Sequence, residues 1–213
     1  MLEKLSVQVF REDTTAFGLG LGTKNILYIA CELLLLEQGT AGNRMLLIEE
    51  PEAHIHAQRQ LKILKSLQQE AEQNSIQVFV STHSPLIASV VKLENMLYVQ
   101  GAKAYSMAEK ETKLVESDYR FLERFLDATK SNLFFAKGVV IAEGDAENIL
   151  LPTVARLLGR DFKDYGVSIV NVGGVGLRRY ANIFQRADEN SNLLEVPVSC
   201  ITCLLYTSPS PRD

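Results

Sequence analysis

The sequence predicts an α/β fold with parallel sheets, built as two successive strand–helix–strand units. Three observations carry this. Two short apolar runs, Met45 to Ile48 and Ile76 to Val80, flank a helical period with no hairpin turn between them. The pattern resumes at Lys137, where Val139 to Ala142, Val167 to Val170 and Val196 to Ile201 alternate with helical stretches. Strands joined through helices pair in parallel, because a parallel partner needs a long crossover connection.

The elements follow in order. Leu5 to Phe10 alternates as a half-buried strand does. A glycine-rich loop, Phe17 to Gly22, leads into a helix over Thr23 to Glu37 with Thr23 as N-cap. Met45 to Ile48 reads as a core strand ending in acids. Leu61, Leu64, Leu67 and Ala71 keep a helical period over Ala57 to Gln73, and a break at Asn74-Ser75 precedes the strand Ile76 to Val80. Thr82 to Pro85 turns into a short helix. Met96 to Val99 and Ala102 to Met107 pair across Gly101, Glu109 to Glu116 reads as a charged linker or surface excursion, and a helix runs over Asp118 to Ala128. The second unit holds the strand Val139 to Ala142, a helix over Ala146 to Leu158, the strand Val167 to Val170, a helix over Leu177 to Ala187, and the strand Val196 to Ile201.

Composition removes several function classes. Its 213 residues, set against roughly 150 per domain, suggest one or two domains. The longest apolar run, Ile26 to Leu36, is 11 residues and contains Glu32, against the roughly 20 that a membrane span needs. Three cysteines make neither a disulfide framework nor a zinc site, so a reducing cytoplasm is expected. A net charge of −4 argues against a globally basic nucleic-acid binder, while leaving room for a local basic groove.

Two sites emerge. Met45-Leu-Leu-Ile-Glu-Glu-Pro51 places two adjacent carboxylates, Glu49 and Glu50, at the carboxyl edge of a strand, where open parallel sheets bind their ligands. One carboxylate can hold Mg²⁺ and the next can polarise an attacking water. His83 follows the neighbouring strand and is expected at the same edge, within reach of a γ-phosphate. In the second unit, Val139-Val-Ile-Ala-Glu-Gly-Asp-Ala-Glu147 is a strand, an acid, a glycine turn and a helix start. Gly144 permits the tight turn, Asp145 reads as the N-cap, and Glu147 falls in the first helical turn, where its carboxylate can return toward Glu143. Such a pair suits Mg²⁺ or Mn²⁺. Equally, Glu147 serves the helix dipole and Glu143 is an exposed acid.

These residues carry a family resemblance. MLLIEEPEAHIH resembles the Walker B and D-loop region of ABC-type ATPases of the RecF/SMC kind, VFVSTHSP resembles their switch-histidine loop, and GLGLGTKNILYIACELL is similar to their signature helix. The resemblance implies ATP as ligand, Glu49 as the Mg²⁺-associated acid, Glu50 as hydrolytic base and His83 as γ-phosphate sensor. It also implies Gly20, Gly22 and Asn25 as contacts to the nucleotide of a second subunit, hence a homodimer through the ATPase domain. His54 and His56 match the family's Glu-Ala-His-x-His stretch and read equally as packing residues, outside any metal site. No G-x-x-x-x-G-K-[ST] occurs. In this family that loop precedes the signature helix, so either Met1 is an internal start or the fragment begins late, and tight ATP binding by the chain alone is not expected.

The strand pair with Glu143, Glu147 and Asn171-Val-Gly-Gly-Val-Gly176 resembles a TOPRIM domain. Behind an ABC ATPase, that order of motifs is similar to the overcoming-lysogenization-defect (OLD) family of ATP-dependent endonucleases. The resemblance implies Glu143 and Glu147 as metal ligands and catalytic groups, Gly173 and Gly174 as shaping the nearby backbone, and DNA as substrate. Arg178 and Arg179 then either contact phosphate or form a solvated helix face. The implied division is residues 1–108 as the C-terminal part of the ATPase, 109–136 as linker and helix, and 137–202 as a partial TOPRIM domain. The family's next motif, Asp-x-Asp, belongs just after Thr202. There the sequence runs into CLLYTSPSPRD, residues 203–213, whose back-translation resembles a library adapter, so the natural sequence is expected to diverge at that point. The function implied is an ATP-dependent, metal-dependent DNA endonuclease of repair or phage defence. The alternative is an ATP-driven DNA- or partner-binding machine whose TOPRIM unit is structural.

Overall fold

The computed structural model describes residues 20–38, 43–174, 176–188 and 193–202. The expected strand Leu5 to Phe10, the start of the glycine-rich loop and the segment 203–213 lie outside the described residues. The chain divides into two compact units, between Thr82 and His83.

The first unit comprises α1 (Leu21–Gln38), β1 (Met45–Glu49), α2 (Ala57–Asn74) and β2 (Gln77–Ser81). α1 starts before Thr23: the N–H groups of Thr23 and Lys24 both donate to the Gly20 carbonyl, so Thr23 lies inside the first turn and is not the cap. α2 stops where Ser75 takes a left-handed φ of 51° and donates its N–H to the Ala71 carbonyl. β1 and β2 pair in parallel, from Met45 opposite Gln77 to Glu49 opposite Ser81. Leu46 and Ile48 point into a core with Ile29, Leu67 and Ile76. The alternate residues do not: Leu47 is 71% exposed, so among the described residues β1 is covered on one face only. The apolar run had suggested burial on both.

In the second unit Ser84 caps the short helix α3 (Pro85–Ala88), its hydroxyl accepting from the Ile87 N–H. β3 (Leu97–Gln100) and β4 (Lys103–Ser106) form the expected antiparallel hairpin across Gly101. α4 (Glu116–Phe125) and a 3₁₀ turn, Lys130–Phe135, lead to a three-stranded parallel sheet. In it β5 (Gly138–Ala142) lies between β6 (Val167–Asn171) and β7 (Val198–Ile201). The helices α5 (Asp145–Leu157) and α6 (Leu177–Asn182) follow β5 and β6.

Two expectations are overturned here. Glu109 to Glu116 is no loose excursion: Thr112 is 2% exposed and Leu114 4%. Thr112 bridges to Arg186, the Lys113 N–H donates to the Gln185 carbonyl, and the Ala187 N–H donates to the Glu111 carbonyl. The Arg186 guanidinium, itself buried, reaches the Ser106 carbonyl at 2.7 Å and the Glu111 carboxylate at 2.6 Å. For the same reason α6 ends at Asn182 instead of running to Ala187: Ile183 and Phe184 turn into the core and Arg186 joins the strap. Leu122, Leu126, Leu133 and Phe134 pack in one core with Val139, Ile141 and Val170. Full burial of each such side chain contributes about 1.5–3 kcal/mol. Residues 83–136 thus belong to the same compact unit as the parallel sheet, so the compact division does not coincide with residues 108 and 136. Among the described residues no helix is long and apolar enough to cross a membrane.

Candidate functional site

Both candidate sites lie at carboxyl ends of parallel strands, and each is shaped by backbone before side chains enter. In the first unit the ladder runs one residue past β1, the Glu50 N–H donating to the Ser81 carbonyl at 3.0 Å. Glu50 then adopts a left-handed φ of 44° immediately before Pro51, where that region is disfavoured, and His54 follows with φ 61°. Strained backbone of this kind costs on the order of 1–3 kcal/mol per residue and persists only where its surroundings over-determine it. One such constraint is visible: the Thr82 hydroxyl donates to the Glu52 carboxylate at 2.5 Å, tying the segment after β1 to the residue after β2. Glu49 and Glu50 are both exposed. His83 is exposed too and opens the second unit, two residues beyond the end of β2.

The glycines of the first unit differ. Gly20 is exposed, with open space where a Cβ would stand. Gly22 abuts the segment after β1, where a Cβ would come 2.4 Å from the His54 carbonyl oxygen. Close packing therefore accounts for Gly22 without a ligand. Asn25 is half-buried one turn on. His54 and His56 have exposed side chains and contribute through backbone instead, since the His56 carbonyl accepts the N–H groups of Arg59 and Gln60 at the start of α2.

In the second unit Glu143 directly follows the central strand β5 and is fastened on both sides. Its N–H donates to the Ile201 carbonyl at 3.2 Å and its carbonyl accepts the Gly174 N–H at 2.6 Å. Gly144 occupies the N-cap position, so Asp145 is the first helical residue and not the cap. Glu147 does return toward the strand end: one of its carboxylate oxygens accepts the Gly144 N–H at 3.0 Å. That bond satisfies a donor orphaned by the helix start, and the charge complements the helix dipole. Gly173 and Gly174 take left-handed φ values of 66° and 80° and bring their turn against Glu143. Sequence reasoning missed Asn171, the last residue of β6. Its side-chain N–H donates to Asp145 at 2.6 Å and its side-chain oxygen accepts the Gly173 N–H at 2.9 Å.

The two arginines of α6 separate. Arg179 donates its Nε–H to Asp118 at 2.9 Å and stands 4.4 Å over the Phe121 ring, while the other Asp118 oxygen accepts the Val115 N–H. Arg178 instead lines an open cleft of about 770 Å³ with Lys113, Asn182, Gln185, Cys200 and Thr202, beside the end of β7.

The donor chemistry at the second site, carboxylates and backbone carbonyls, is hard oxygen of the kind that suits Mg²⁺ or Mn²⁺. Among the described residues no group of three or more His, Cys, Asp or Glu side chains is disposed to hold a metal ion.

Residues 11–88 match the AAA ATPase domain family, and residues 134–202 match the TOPRIM domain of overcoming-lysogenization-defect-like proteins. The chain is 26% identical over 180 residues to an OLD nuclease of Thermus scotoductus, covering 80% of this chain and 34% of that protein. It is 28% identical over 135 residues to an Endonuclease GajA of Bacillus cereus strain VD045, covering 63% of this chain and 23% of the relative. With an Endonuclease GajA of Bacillus cereus strain HuB5-5 it shares 25% identity over 216 residues, or 87% and 30% of the two chains. The chain thus spans about a quarter to a third of the length of the curated relatives it matches.

Proposed function

We propose that the chain is part of an OLD-type ATPase–TOPRIM nuclease, as its matches to an AAA ATPase domain and an OLD-like TOPRIM domain support, and that the full-length protein is an ATP-dependent, divalent-metal-dependent DNA endonuclease acting in repair or phage defence. The observation that carries this is the placement of Glu143 and Glu147 on one turn, at the carboxyl end of the central strand of a parallel sheet.

In this reading Glu143 and Glu147 hold Mg²⁺ or Mn²⁺. When bound, the metal would activate the attacking water and stabilise the leaving oxygen of the phosphodiester. The chain's own residues do the rest. The double tether of the Glu143 backbone fixes its carboxylate stem, and the Gly144 N–H orients Glu147. Arg178 lines the cleft beside β7 and supplies positive charge for a DNA phosphate, whereas Arg179 is held by Asp118. In the ATPase part, Glu49 is assigned to the Mg²⁺ of ATP, Glu50 to polarising water and His83 to sensing the γ-phosphate. Gly20, Gly22 and Asn25 are assigned to the nucleotide of a second subunit in a homodimer. The functional division follows residues 1–108 and 137–202, joined by 109–136 as a packed connector, in a cytoplasmic protein.

The experiment is metal-dependent nicking of plasmid DNA by the full-length protein, with nicking lost in Glu143→Ala and ATP hydrolysis lost in Glu50→Gln. One observation favours a second reading, an ATP-driven binding machine with a structural TOPRIM unit: Glu147 already serves the helix start, and no larger acidic cluster surrounds it among the described residues. Intact ATPase activity without nicking under Mg²⁺ or Mn²⁺ would establish that alternative.

A further inference from the structure

The turn after β6 poses a physical problem. Gly173 and Gly174 are consecutive left-handed residues, and nothing stands within 4 Å of the place where a Cβ on either would be. Among the described residues, no side chain packs against the place where their own would stand. Glycine has the widest backbone freedom of any residue, so an unclamped pair would sample many conformations. Yet the Gly174 N–H is placed 2.6 Å from the Glu143 carbonyl, where it fastens the residue that opens the candidate metal site.

Asn171 supplies the missing constraint. Its side-chain oxygen accepts the Gly173 N–H at 2.9 Å, closing the turn onto the end of β6. Its side-chain N–H donates to the Asp145 carboxylate at 2.6 Å, closing the same turn onto the first residue of α5. Only this orientation of the amide satisfies both partners; the flipped one would set oxygen against carboxylate and N–H against N–H. No other uncharged side chain of this length offers a donor to an acid and an acceptor to an amide at once.

We propose that Asn171 is a positioning residue of the metal site: it joins Asp145 to the Gly173–Gly174 turn and thereby holds Gly174 on the Glu143 backbone. This deepens the nuclease reading and rests on it. Asp145 is the anchor of the bridge and not a metal ligand. The role should resemble that of the outer groups around metal centres, whose loss typically weakens metal binding about 10–100-fold.

The test uses the full-length protein with Asn171→Ala, with Asn171→Asp, and with Asn171→Asp combined with Asp145→Asn. The double variant exchanges the two partners: Asn at 145 donates to Asp at 171, whose second oxygen still accepts the Gly173 N–H. Amide exchange at Gly174 is read by NMR, and Mn²⁺ affinity by electron paramagnetic resonance, with Glu143→Gln marking the site-specific part. In both single variants Gly174 should exchange roughly fivefold faster, as the loss of one ordinary hydrogen bond implies. Glu143-dependent Mn²⁺ binding should weaken about tenfold or more, and the double variant should restore both. Unchanged Gly174 exchange in Asn171→Ala overturns the proposal. So does faster exchange with undiminished Mn²⁺ binding, or a double variant that restores exchange but not Mn²⁺, which would make Asp145 itself a ligand. If Glu143→Gln leaves Mn²⁺ binding of the parent chain unchanged, the metal reading itself fails and the positioning role falls with it.

Discussion

Gly22 in the first turn of α1 packs against the carbonyl of His54 so closely that a Cβ there would stand 2.4 Å from that oxygen. His54 is already held at a left-handed φ of 61°, in the segment that begins at Glu50. The contact is with backbone, which cannot swing aside as a side-chain tip can. Gly22→Ala should therefore destabilise the first unit although alanine is the better helix former. Overpacking costs about 1–3 kcal/mol, against roughly 1 kcal/mol gained in helix propensity. Thermal unfolding of the variant should show a Tm lowered by several degrees, while Gly20→Ala, with open space around it, should leave the Tm near that of the parent. Equal melting of parent and Gly22→Ala would return Gly22 to a purely ligand-contacting role.

The adjacent arginines of α6 should part in mutagenesis. Arg179 neutralises Asp118, which is 9% exposed, and stacks on Phe121. Arg179→Ala would leave that carboxylate poorly compensated, a loss on the order of 1–3 kcal/mol. Arg178→Ala removes an exposed side chain and should stay within about 0.5 kcal/mol of the parent. In the full-length protein, Arg178→Ala should weaken DNA binding across sequences and reduce the salt slope by about 1. Urea unfolding and DNA titrations at several salt concentrations measure the two effects.

What was legible in the sequence was local. β1 and β2 were readable because apolar runs, their flanking acids and the helical period between them all sit within short windows. The strand–turn–helix that carries Glu143 and Glu147 was readable because a strand, a glycine and a helix start occur consecutively. The failures were non-local. The burial of Thr112 and Leu114 depends on Arg186, more than seventy residues away, so the charges around them read as a solvated linker. The early end of α6 has the same cause. The bridging role of Asn171 carried no signal, because its partners, Asp145 and Gly173, meet only when β6 is laid beside β5. Gly22 carried an ambiguous one, since close packing and ligand contact demand the same residue.

Alkaline pH should find a weak point in the second unit. Tyr180 is 1% exposed and donates its hydroxyl to the Phe125 carbonyl. Burial, helped by the nearby Asp127 charge, pushes its pKa up to about 12, above the ordinary tyrosine value near 10. A raised folded pKa means that the native state holds its proton more tightly than the unfolded chain. Stability from this group is therefore complete below about pH 10 and is lost as pH rises toward 12, a change on the order of 2 kcal/mol. Tyr180→Phe should flatten part of the decline between pH 10 and 12, at the cost of one hydrogen bond at neutral pH. Denaturation midpoints measured across that range decide it; an equally steep decline in the variant would assign the effect to other groups.

Glu147 starts α5 and is proposed as a metal ligand, and substitution should separate the two roles. As the partner of the Gly144 N–H it needs only an oxygen acceptor, and as a metal ligand it needs charge. Glu147→Gln keeps the acceptor, so its stability should stay within about 0.5 kcal/mol of the parent, whereas Glu147→Ala leaves the helix start unpaired and should cost about 1 kcal/mol. If the carboxylate also holds a divalent ion, Glu147→Gln should abolish Mn²⁺-dependent nicking by the full-length protein while it still folds normally, and should match Glu143→Gln in doing so. If the side chain only starts α5, Glu147→Gln should nick plasmid at close to the parent rate, and Glu147→Ala should lose activity only in step with its lost stability. Stability and nicking measured on the same three variants therefore distinguish a helix-starting acid from a metal ligand.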